Sequence, residues 1–149
     1  MVRFTEIEFN SDKYRDSIEL RYEVLRKPLS LEFDPEVLAL EYKDHHICAF
    51  SEDKKLIGCL IMSPVNNGLV KMRQFAVATD YQKQGIGKSL VLFAEKWAAE
   101  KQYNRIEMHA RLTAVPFYLK LGYTIEGEEF IEVTILHRFM YKILGESQE

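Results

Sequence analysis

The stretch MRQFAVATDYQKQGIGKSLVLFAEKWA, residues 72–98, joins a predicted strand, a glycine turn and a predicted helix without interruption. The strand is predicted over Leu69–Val77. The helix carries an apolar stripe at the spacing i, i+3, i+4, i+7 and i+8, formed by Leu90, Phe93, Ala94, Trp97 and Ala98. Between them, QKQGIG places two glycines where the helix begins. The function of that turn determines how the rest of the chain is interpreted.

Two familiar phosphate-binding patterns fit the turn incompletely. A Walker A loop, GxxxxGK[ST], would need glycine where Gln82 stands, and a Rossmann fingerprint, GxGxxG, would need it at Leu90. A third pattern, [Q/R]xxGx[G/A] after a strand and before a helix, fits fully. Glycines there let a pyrophosphate approach the unpaired N–H groups of the first helical turn, and Lys83 and Lys88 add positive charge. An ordinary glycine helix start is the alternative interpretation.

Composition narrows the function classes. The 149 residues fit one domain, and a net charge of -3 disfavours a broad nucleic-acid-binding face. The polar start is unlike a signal peptide and no apolar run is long enough to span a membrane, so we expect a cytoplasmic protein with no membrane or nucleic-acid partner. Cys48 and Cys59 lie in apolar stretches and are expected to be buried thiols. No metal-ligand spacing occurs, so no metal is expected.

The order of predicted elements is βααβββαβαββ. Consecutive strands joined by short turns must be antiparallel, whereas the strand–helix–strand crossover around the glycine turn makes a parallel pair. The last two strands are predicted over Tyr123–Glu126 and Phe130–Lys142, with the turn near Gly127. A mixed sheet covered by helices, an α/β (α+β) layered fold, is therefore predicted.

The chain resembles the GNAT superfamily of acetyl-CoA-dependent N-acetyltransferases. The resemblance covers most of residues 46–125 and depends on residues 72–98 together with HARLTAVPFYLKLGYTIEG, residues 109–127. It implies a mostly antiparallel sheet of about six to seven strands with about four helices, and splayed central parallel strands. It also implies a single domain, 1–149, divided into an acceptor-side arm (1–45), a cofactor-binding core (46–125) and C-terminal strands (126–149).

The resemblance further implies coenzyme A contacts. The pyrophosphate would lie on the turn formed by Gln82, Lys83, Gln84, Gly85, Ile86, Gly87, Lys88 and Ser89. The pantetheine arm would pair with the backbone of Phe75, Ala76 and Val77, one of whose N–H groups would stabilise the oxyanion. Arg111 stands where many members have a cofactor-contacting asparagine, and we assign it to the cofactor site.

The same resemblance places a general acid at Tyr118. General-base candidates are His137, Glu132, His109 and Glu107, because the ammonium of the acceptor must lose a proton before attack. Arg73 and Gln74 lie on the strand beside the thioester. Strand alternation is expected to turn only one of these two toward the acceptor.

The implied activity is transfer of an acetyl group from acetyl-CoA to a primary amine of a small molecule, by direct attack in a ternary complex. Acetylation of a protein or peptide, and non-catalytic acyl-CoA sensing, are the alternatives. Many relatives form dimers, so a homodimer is also considered. The acidic segment EGEEFIE, residues 126–132, would favour a cationic amine if it rims the acceptor mouth, although a solvated strand face explains it equally well.

Overall fold

The computed structural model describes residues 1–145, which form seven strands and four α-helices. In chain order these are β1 (Arg3–Ile7), α1 (Asp12–Arg21), α2 (Pro35–Leu38), β2 (His45–Phe50), β3 (Leu56–Asn66), β4 (Leu69–Val77), α3 (Ile86–Glu100), β5 (Arg105–Arg111), α4 (Val115–Lys120), β6 (Thr124–Glu132) and β7 (Ile135–Ile143). The predicted element order and the mixed α/β fold are confirmed. None of the helices in this part of the chain is both long and apolar enough to cross a membrane.

All seven strands form one sheet in the order β1-β2-β3-β4-β5-β7-β6. Five of the six neighbouring pairs are antiparallel, and β4 with β5 is the parallel pair. A parallel pair needs a long crossover, and α3 supplies it. The glycine turn therefore lies at the end of a central strand, where a helix begins.

β4 and β5 separate before either strand ends. Their pairing stops at Met72 and Met108, although β4 continues to Val77 and β5 to Arg111. At the same place the register between β3 and β4 shifts, and Gln74 adopts φ 56. An extra residue in a strand bends it. The central parallel strands are therefore splayed, as expected.

The two faces of the sheet are covered by different helices. On one, called the α3 face, Leu90, Val91 and Ala94 of α3 are fully buried against the strands because the apolar stripe points inward. On the other, called the α1 face, Cys48 and Cys59 lie in a smaller core beneath α1, at 0% and 2% exposure. The prediction of two buried thiols is confirmed.

The end of α1 differs from a regular helix. The Ser11 hydroxyl caps its start by accepting the Tyr14 N–H. After Arg21 the helix widens into a π-helical turn, Tyr22–Arg26, followed by a short 3-10 turn at Lys27–Leu29. A π turn changes which side chains face the core, and such turns often occur at functional sites. Here it brings the last residues of the turn over the splay.

The predicted boundary between the last two strands was wrong. β6 continues through Gly127, and the chain reverses instead at Val133 and Thr134, with φ of 51 and 67. Gly127, with φ 80, lies in a bulge, since the β6–β7 register shifts between Glu126 and Phe130. A glycine serves equally well in a turn or a bulge, and two β-branched residues are unusual in a left-handed turn. The sequence thus had no local signal at the real reversal.

Candidate active site

A pocket of about 380 Å³ opens where β4 and β5 separate. It lies at the carboxyl ends of the two parallel strands, where α/β sheets commonly bind ligands. The lining residues are Leu25, Arg26, Lys71, Met72, Arg73, Gln74, Phe75, Met108, His109, Ala110, Arg111, Ala114, Tyr118, Glu132, Val133 and His137. The fold thus brings most of the expected catalytic and acceptor-binding residues to one pocket, namely Arg73, Gln74, His109, Tyr118, Glu132 and His137.

The turn before α3 leaves backbone amides without partners. Gly85 caps the helix in the left-handed conformation (φ 81), and no side chain caps the helix start. The first intrahelical bond runs from the Ser89 N–H to the Gly85 carbonyl at 3.1 Å, so the amides of residues 86–88 have no acceptor within the helix. A Cβ at Gly85 would meet nothing within 4 Å. Exposed Lys83 and Lys88 flank these amides, and the group fits a diphosphate.

Side chains of the turn hold it in place. The Gln82 amide donates to the Val77 carbonyl at 2.9 Å, and the Gln84 amide donates to the Asp80 carbonyl at 3.1 Å. Ile86 is buried in the α3-face core. These residues fix the amides relative to β4, and their backbones rather than their side chains are available to a ligand.

Gly87 is favoured by the packing of α3 against Phe75. A Cβ there would lie 3.0 Å from Cζ of Phe75, which is tighter than most Cβ contacts, so the ring would have to move by a few tenths of an ångström. Phe75 in turn stacks on Phe117 of α4, with ring centroids 5.6 Å apart. The glycine therefore lets α3 lie directly against the aromatic wall of the pocket.

Beyond Met72, β4 presents an open edge on its β5 side. The side chains of Ala76 and Val77 are buried, the first on the α1 face and the second on the α3 face. At these two residues only the backbone groups can reach a ligand. Unpaired strand N–H and C=O groups are suited to bind an extended chain.

Tyr118 projects from α4 into the aromatic wall. Its side chain is 4% exposed and lies edge-on to Phe75 and Tyr123, at centroid distances of 6.1 and 5.6 Å. Burial raises the pKa of the phenol above its ordinary value. Within residues 1–145 no hydrogen bond to its hydroxyl contributes to that shift. The hydroxyl is thus protonated and can donate a hydrogen bond to a ligand.

A carboxylate between two histidines forms the opposite wall. The Nδ1 of His109 lies 2.8 Å from Oε1 of Glu132, and the Nε2 of His137 lies 4.0 Å from Oε2. The Nδ1 of His137 lies 2.9 Å from the Ile135 carbonyl. Because a carbonyl can only accept, that ring nitrogen carries the proton, and Nε2 of the neutral ring is an acceptor.

The strand register sorts the lining onto two faces. On β5, Met108 and Ala110 belong to the α3-face core, so His109 and Arg111 project from the α1 face. Arg111 lies opposite His137 of β7, and opposed residues share a face. The α3 side of the pocket is apolar and aromatic, with Met72, Phe75, Met108, Ala110 and Tyr118. The pocket therefore passes through the sheet between two chemically different sides.

Both Arg73 and Gln74 line the pocket, and the expectation that only one of them turns toward the acceptor stays a prediction. The left-handed conformation of Gln74 (φ 56) interrupts strand alternation. Arg73 donates to the Ser63 hydroxyl at 3.3 Å and lies 3.5 Å from an Asp44 carboxylate oxygen. The Oε1 of Gln74 is buried and has no hydrogen-bond partner among residues 1–145.

Other expected residues are placed less simply. Arg111 donates to the Leu25 carbonyl at 2.8 Å on the α1 face, and its role at the cofactor stays a prediction. Glu107 accepts a bond from Arg105 at 2.8 Å and is not part of the lining. Of the acidic segment, Glu132 lines the pocket, whereas the residues exposed to solvent outside it are Glu126, Glu128 and Glu129.

Several lining residues were not identified from the sequence. Leu25 and Arg26 come from the π turn, Lys71 from β4, and Val133 from the β6–β7 reversal. None belongs to a recognisable motif. Arg26 could only have been found by foreseeing that α1 ends in a π turn above the splay.

Comparison with known proteins supports the fold and the family. The profile described as "Acetyltransferase (GNAT) family" matches residues 9–123. The uncharacterized N-acetyltransferase YjcF of Bacillus subtilis (strain 168) is 29% identical over 135 residues, covering 89% of this chain and 94% of that protein. These matches span nearly all of the elements that build the pocket.

Two solved structures share the fold at low sequence identity. An aminoglycoside 6'-N-acetyltransferase complexed with coenzyme A superposes with a TM-score of 0.78 at 18% identity, covering 99% of each chain. The ribosomal-protein-S18-alanine N-acetyltransferase of Escherichia coli gives 0.78 at 13% identity, covering 100% of this chain and 97% of that one. At such identities the likeness shows the fold and leaves the acceptor open. With the profile covering more than three quarters of its length, the chain belongs to the GNAT family of acetyltransferases.

Proposed function

We propose that the chain is an N-acetyltransferase that moves an acetyl group from acetyl-CoA to a primary amine of a small molecule, by direct attack in a ternary complex. The observation that carries the proposal is the pocket itself. It connects an aromatic wall near the uncapped start of α3 with a carboxylate–histidine cluster on the other face of the sheet. A donor and an acceptor can therefore meet at the splay from opposite sides.

The donor side of the pocket would bind and orient acetyl-CoA. Acetyl-CoA supplies the reactive acetyl thioester. The amides from Gln82 to Lys88, with Ser89 and the two lysines of the turn, would hold its diphosphate. The open edge at Phe75–Val77 would pair with the pantetheine arm, and one of its N–H groups would stabilise the negative charge that develops on the acetyl oxygen.

The acceptor side receives the amine and its proton. Nε2 of His137 and Oε2 of Glu132 are both acceptors and lie 4.0 Å apart, so an amine beside the pair can donate one N–H to each. As the nitrogen–carbon bond forms, either group can take the proton that the nitrogen loses. His109 holds Glu132 in position through its 2.8 Å contact.

Tyr118 acts on the leaving sulfur. Because burial raises the pKa of its phenol, the hydroxyl stays protonated across the ordinary pH range. It donates its hydrogen to the sulfur as the carbon–sulfur bond breaks. The base thus gains one proton and Tyr118 loses one, and return of that proton through solvent to the phenolate restores both groups for the next turnover.

A small acceptor is favoured over a flexible peptide. The π turn, part of the arm over residues 1–45, lies on the acceptor side, where Leu25 and Arg26 form part of the pocket wall. A volume of about 380 Å³ leaves room for the thioester end and an acceptor of modest size. In this proposal residues 46–125 hold the cofactor and residues 126–145 complete the acceptor wall.

Two glycines provide a matched test of the donor site. Gly85 and Gly127 have φ of 81 and 80, and a Cβ at either would meet nothing within 4 Å. Alanine at either position should therefore cost a similar ~1 kcal/mol of stability. We expect Gly85→Ala alone to weaken coenzyme A binding measured by calorimetry, by about tenfold, because the methyl group lies where the diphosphate approaches. Equal affinities of the two variants would contradict the assignment of the turn.

Activity is tested by thiol release from acetyl-CoA against a panel of amines, including polyamines, amino acids, aminosugars, aminoglycosides and short peptides. We expect amine-dependent turnover with small amines. Tight binding of acetyl-CoA without turnover of any acceptor would contradict catalysis and favour a sensor. Turnover restricted to the peptides would overturn the small-molecule assignment.

A further inference from the structure

We propose that the acceptor amine also carries an acidic group, a carboxylate or a phosphate, which binds a cluster of arginines on the α1 face of the pocket. This proposal rests on the N-acetyltransferase function proposed above. The pocket is lined by four cationic side chains, Arg26, Lys71, Arg73 and Arg111, and by one carboxylate, Glu132. A simple cationic amine would meet net repulsion there.

The positive charges are poorly compensated within the protein. Arg73 lies 3.5 Å from an Asp44 oxygen, which is a loose ion pair. Arg111 donates to the neutral carbonyl of Leu25. Among residues 1–145, neither Arg26 nor Arg111 forms a salt bridge to a carboxylate at 4.0 Å or less. Guanidinium groups of this kind favour bidentate binding of carboxylate or phosphate.

Arg26 is the most informative member of this cluster. The π turn places Arg26 in the lining of the pocket, and its guanidinium also lies 4.7 Å from the centroid of the Phe33 ring. Its Nε is buried and has no hydrogen-bond partner among the described residues. Burial lowers its pKa, with further lowering from the charges of Arg21 and Arg73 and an opposing effect of Glu132. An anion among these guanidiniums would satisfy the free donor and relieve the repulsion.

The arginines lie on the acceptor side of the pocket rather than on the side where the phosphates of the cofactor would bind. Arg111 lies on the α1 face with His109, while the uncapped start of α3 belongs to the opposite face. Glu132 with its histidines provides the acceptor for the amine, and the guanidiniums provide donors for the acid. The complementary ligand therefore bears both a positive and a negative group.

Matched amines test this directly. Thiol release is measured for an amino acid, its carboxamide and its decarboxylated amine, and for O-phosphoethanolamine against ethanolamine. We expect kcat/KM to be at least about tenfold higher for an acid-bearing member of one series. The amine of the carboxamide is less basic than that of the amino acid, so more of it is in the neutral, reactive form. A preference for the amino acid would therefore appear in spite of this difference. The series that shows the preference tells a carboxylate from a phosphate. Equal or better turnover of the neutral amines would overturn the proposal.

The variants Arg26→Gln and Arg73→Gln assign the preference to the cluster. We expect each to lower the ratio of kcat/KM between the acid-bearing and neutral amines by about tenfold, with Arg26→Lys retaining part of it. Arg15→Gln is the control, because Arg15 is exposed on α1 and pairs with Asp12. Melting temperatures check that the variants fold. A ratio unchanged in both variants would overturn the assignment.

A binding measurement tests the acid site independently of the proposed catalytic activity. Calorimetric titration of the complex with coenzyme A measures affinity for the same matched amines without requiring turnover. Tighter binding of the acid-bearing members supports the arginine site even where no amine is acetylated. No turnover in any series would contradict the proposed acetyltransferase activity, and equal affinities would contradict the acid site.

Discussion

Replacing Tyr118 by phenylalanine separates its proposed role as general acid from its role in packing. The change removes one oxygen and keeps the ring, with its edge-on contacts to Phe75 and Tyr123. Because the hydroxyl contributes no hydrogen bond within residues 1–145, its loss leaves no partner unpaired. We therefore expect the free energy of unfolding to change by less than about 1 kcal/mol. General acid catalysis typically contributes about 10²–10⁴-fold, so kcat should fall by about that factor. This corresponds to a rise of about 2.7–5.5 kcal/mol in the activation free energy.

Tyr123 supplies the opposite case on the same aromatic wall. Its hydroxyl donates to Oε2 of Glu95 at 2.8 Å, and Tyr123 is not part of the pocket lining. Tyr123→Phe should therefore cost about 1.5–3 kcal/mol of stability, as expected for loss of a hydrogen bond to a charged group. Its kcat should match that of the wild type at temperatures where it is folded.

The assay is thiol release at saturating acetyl-CoA and acceptor, with thermal unfolding measured on the same preparations. Single-turnover measurements are needed as well, because slow product release can hide a change in the chemical step. A Tyr118→Phe enzyme with the single-turnover rate of the wild type would refute the general-acid assignment. A fall of the same size in Tyr123→Phe would indicate that the aromatic wall, rather than the hydroxyl, is responsible.

Three further changes test stability elsewhere in the chain. Glu41→Gln leaves a buried arginine partner uncompensated and should cost about 3–5 kcal/mol in denaturant unfolding, whereas Glu23→Gln, which breaks an exposed pair, should cost less than about 1 kcal/mol. Burial raises the pKa of the Cys59 thiol to about 12. The stability that this thiol contributes is therefore complete below the pKa of an unfolded cysteine, near 8.5, and the free energy of unfolding falls by up to about 1.4 kcal/mol per pH unit as the pH rises toward 12. Cys59→Ala should make this alkaline loss of stability smaller. The double change Val133→Asn, Thr134→Gly relieves two left-handed β-branched residues and should raise stability by about 1–2 kcal/mol, which melting curves would show; an unchanged or lower melting temperature would contradict this explanation of the turn.

The sequence predicted those parts of the fold that depend on local pattern. β4 was predicted over Leu69–Val77 and lies there, because an extended run between two turn signals has few alternatives. The apolar stripe that includes Leu90 and Ala94 likewise identified α3 and the face it buries. The splay followed from the family resemblance, and its cause is visible only in the register shift at Gln74.

The acceptor side was harder to predict because its residues meet through tertiary contacts. Arg26 and Arg111 are far apart in the sequence, and the chain joins them only because a π turn ends α1 above the splay. Glu132, His109 and His137 were each proposed as base candidates, but they lie on three different strands, so the sequence did not show that they meet. The bulge at Gly127 was interpreted as a turn, since glycine permits both conformations.

The central claim is that the amides at the start of α3 hold the diphosphate of acetyl-CoA. The most direct measurement is an amide NMR titration of the protein with coenzyme A and, in parallel, with pantetheine, which lacks the diphosphate. We expect coenzyme A to shift the amide signals of Gly85, Gly87 and Lys88 most strongly, with pantetheine shifting the open edge of β4 alone. Unshifted amides in residues 85–88 at saturating coenzyme A would contradict the account.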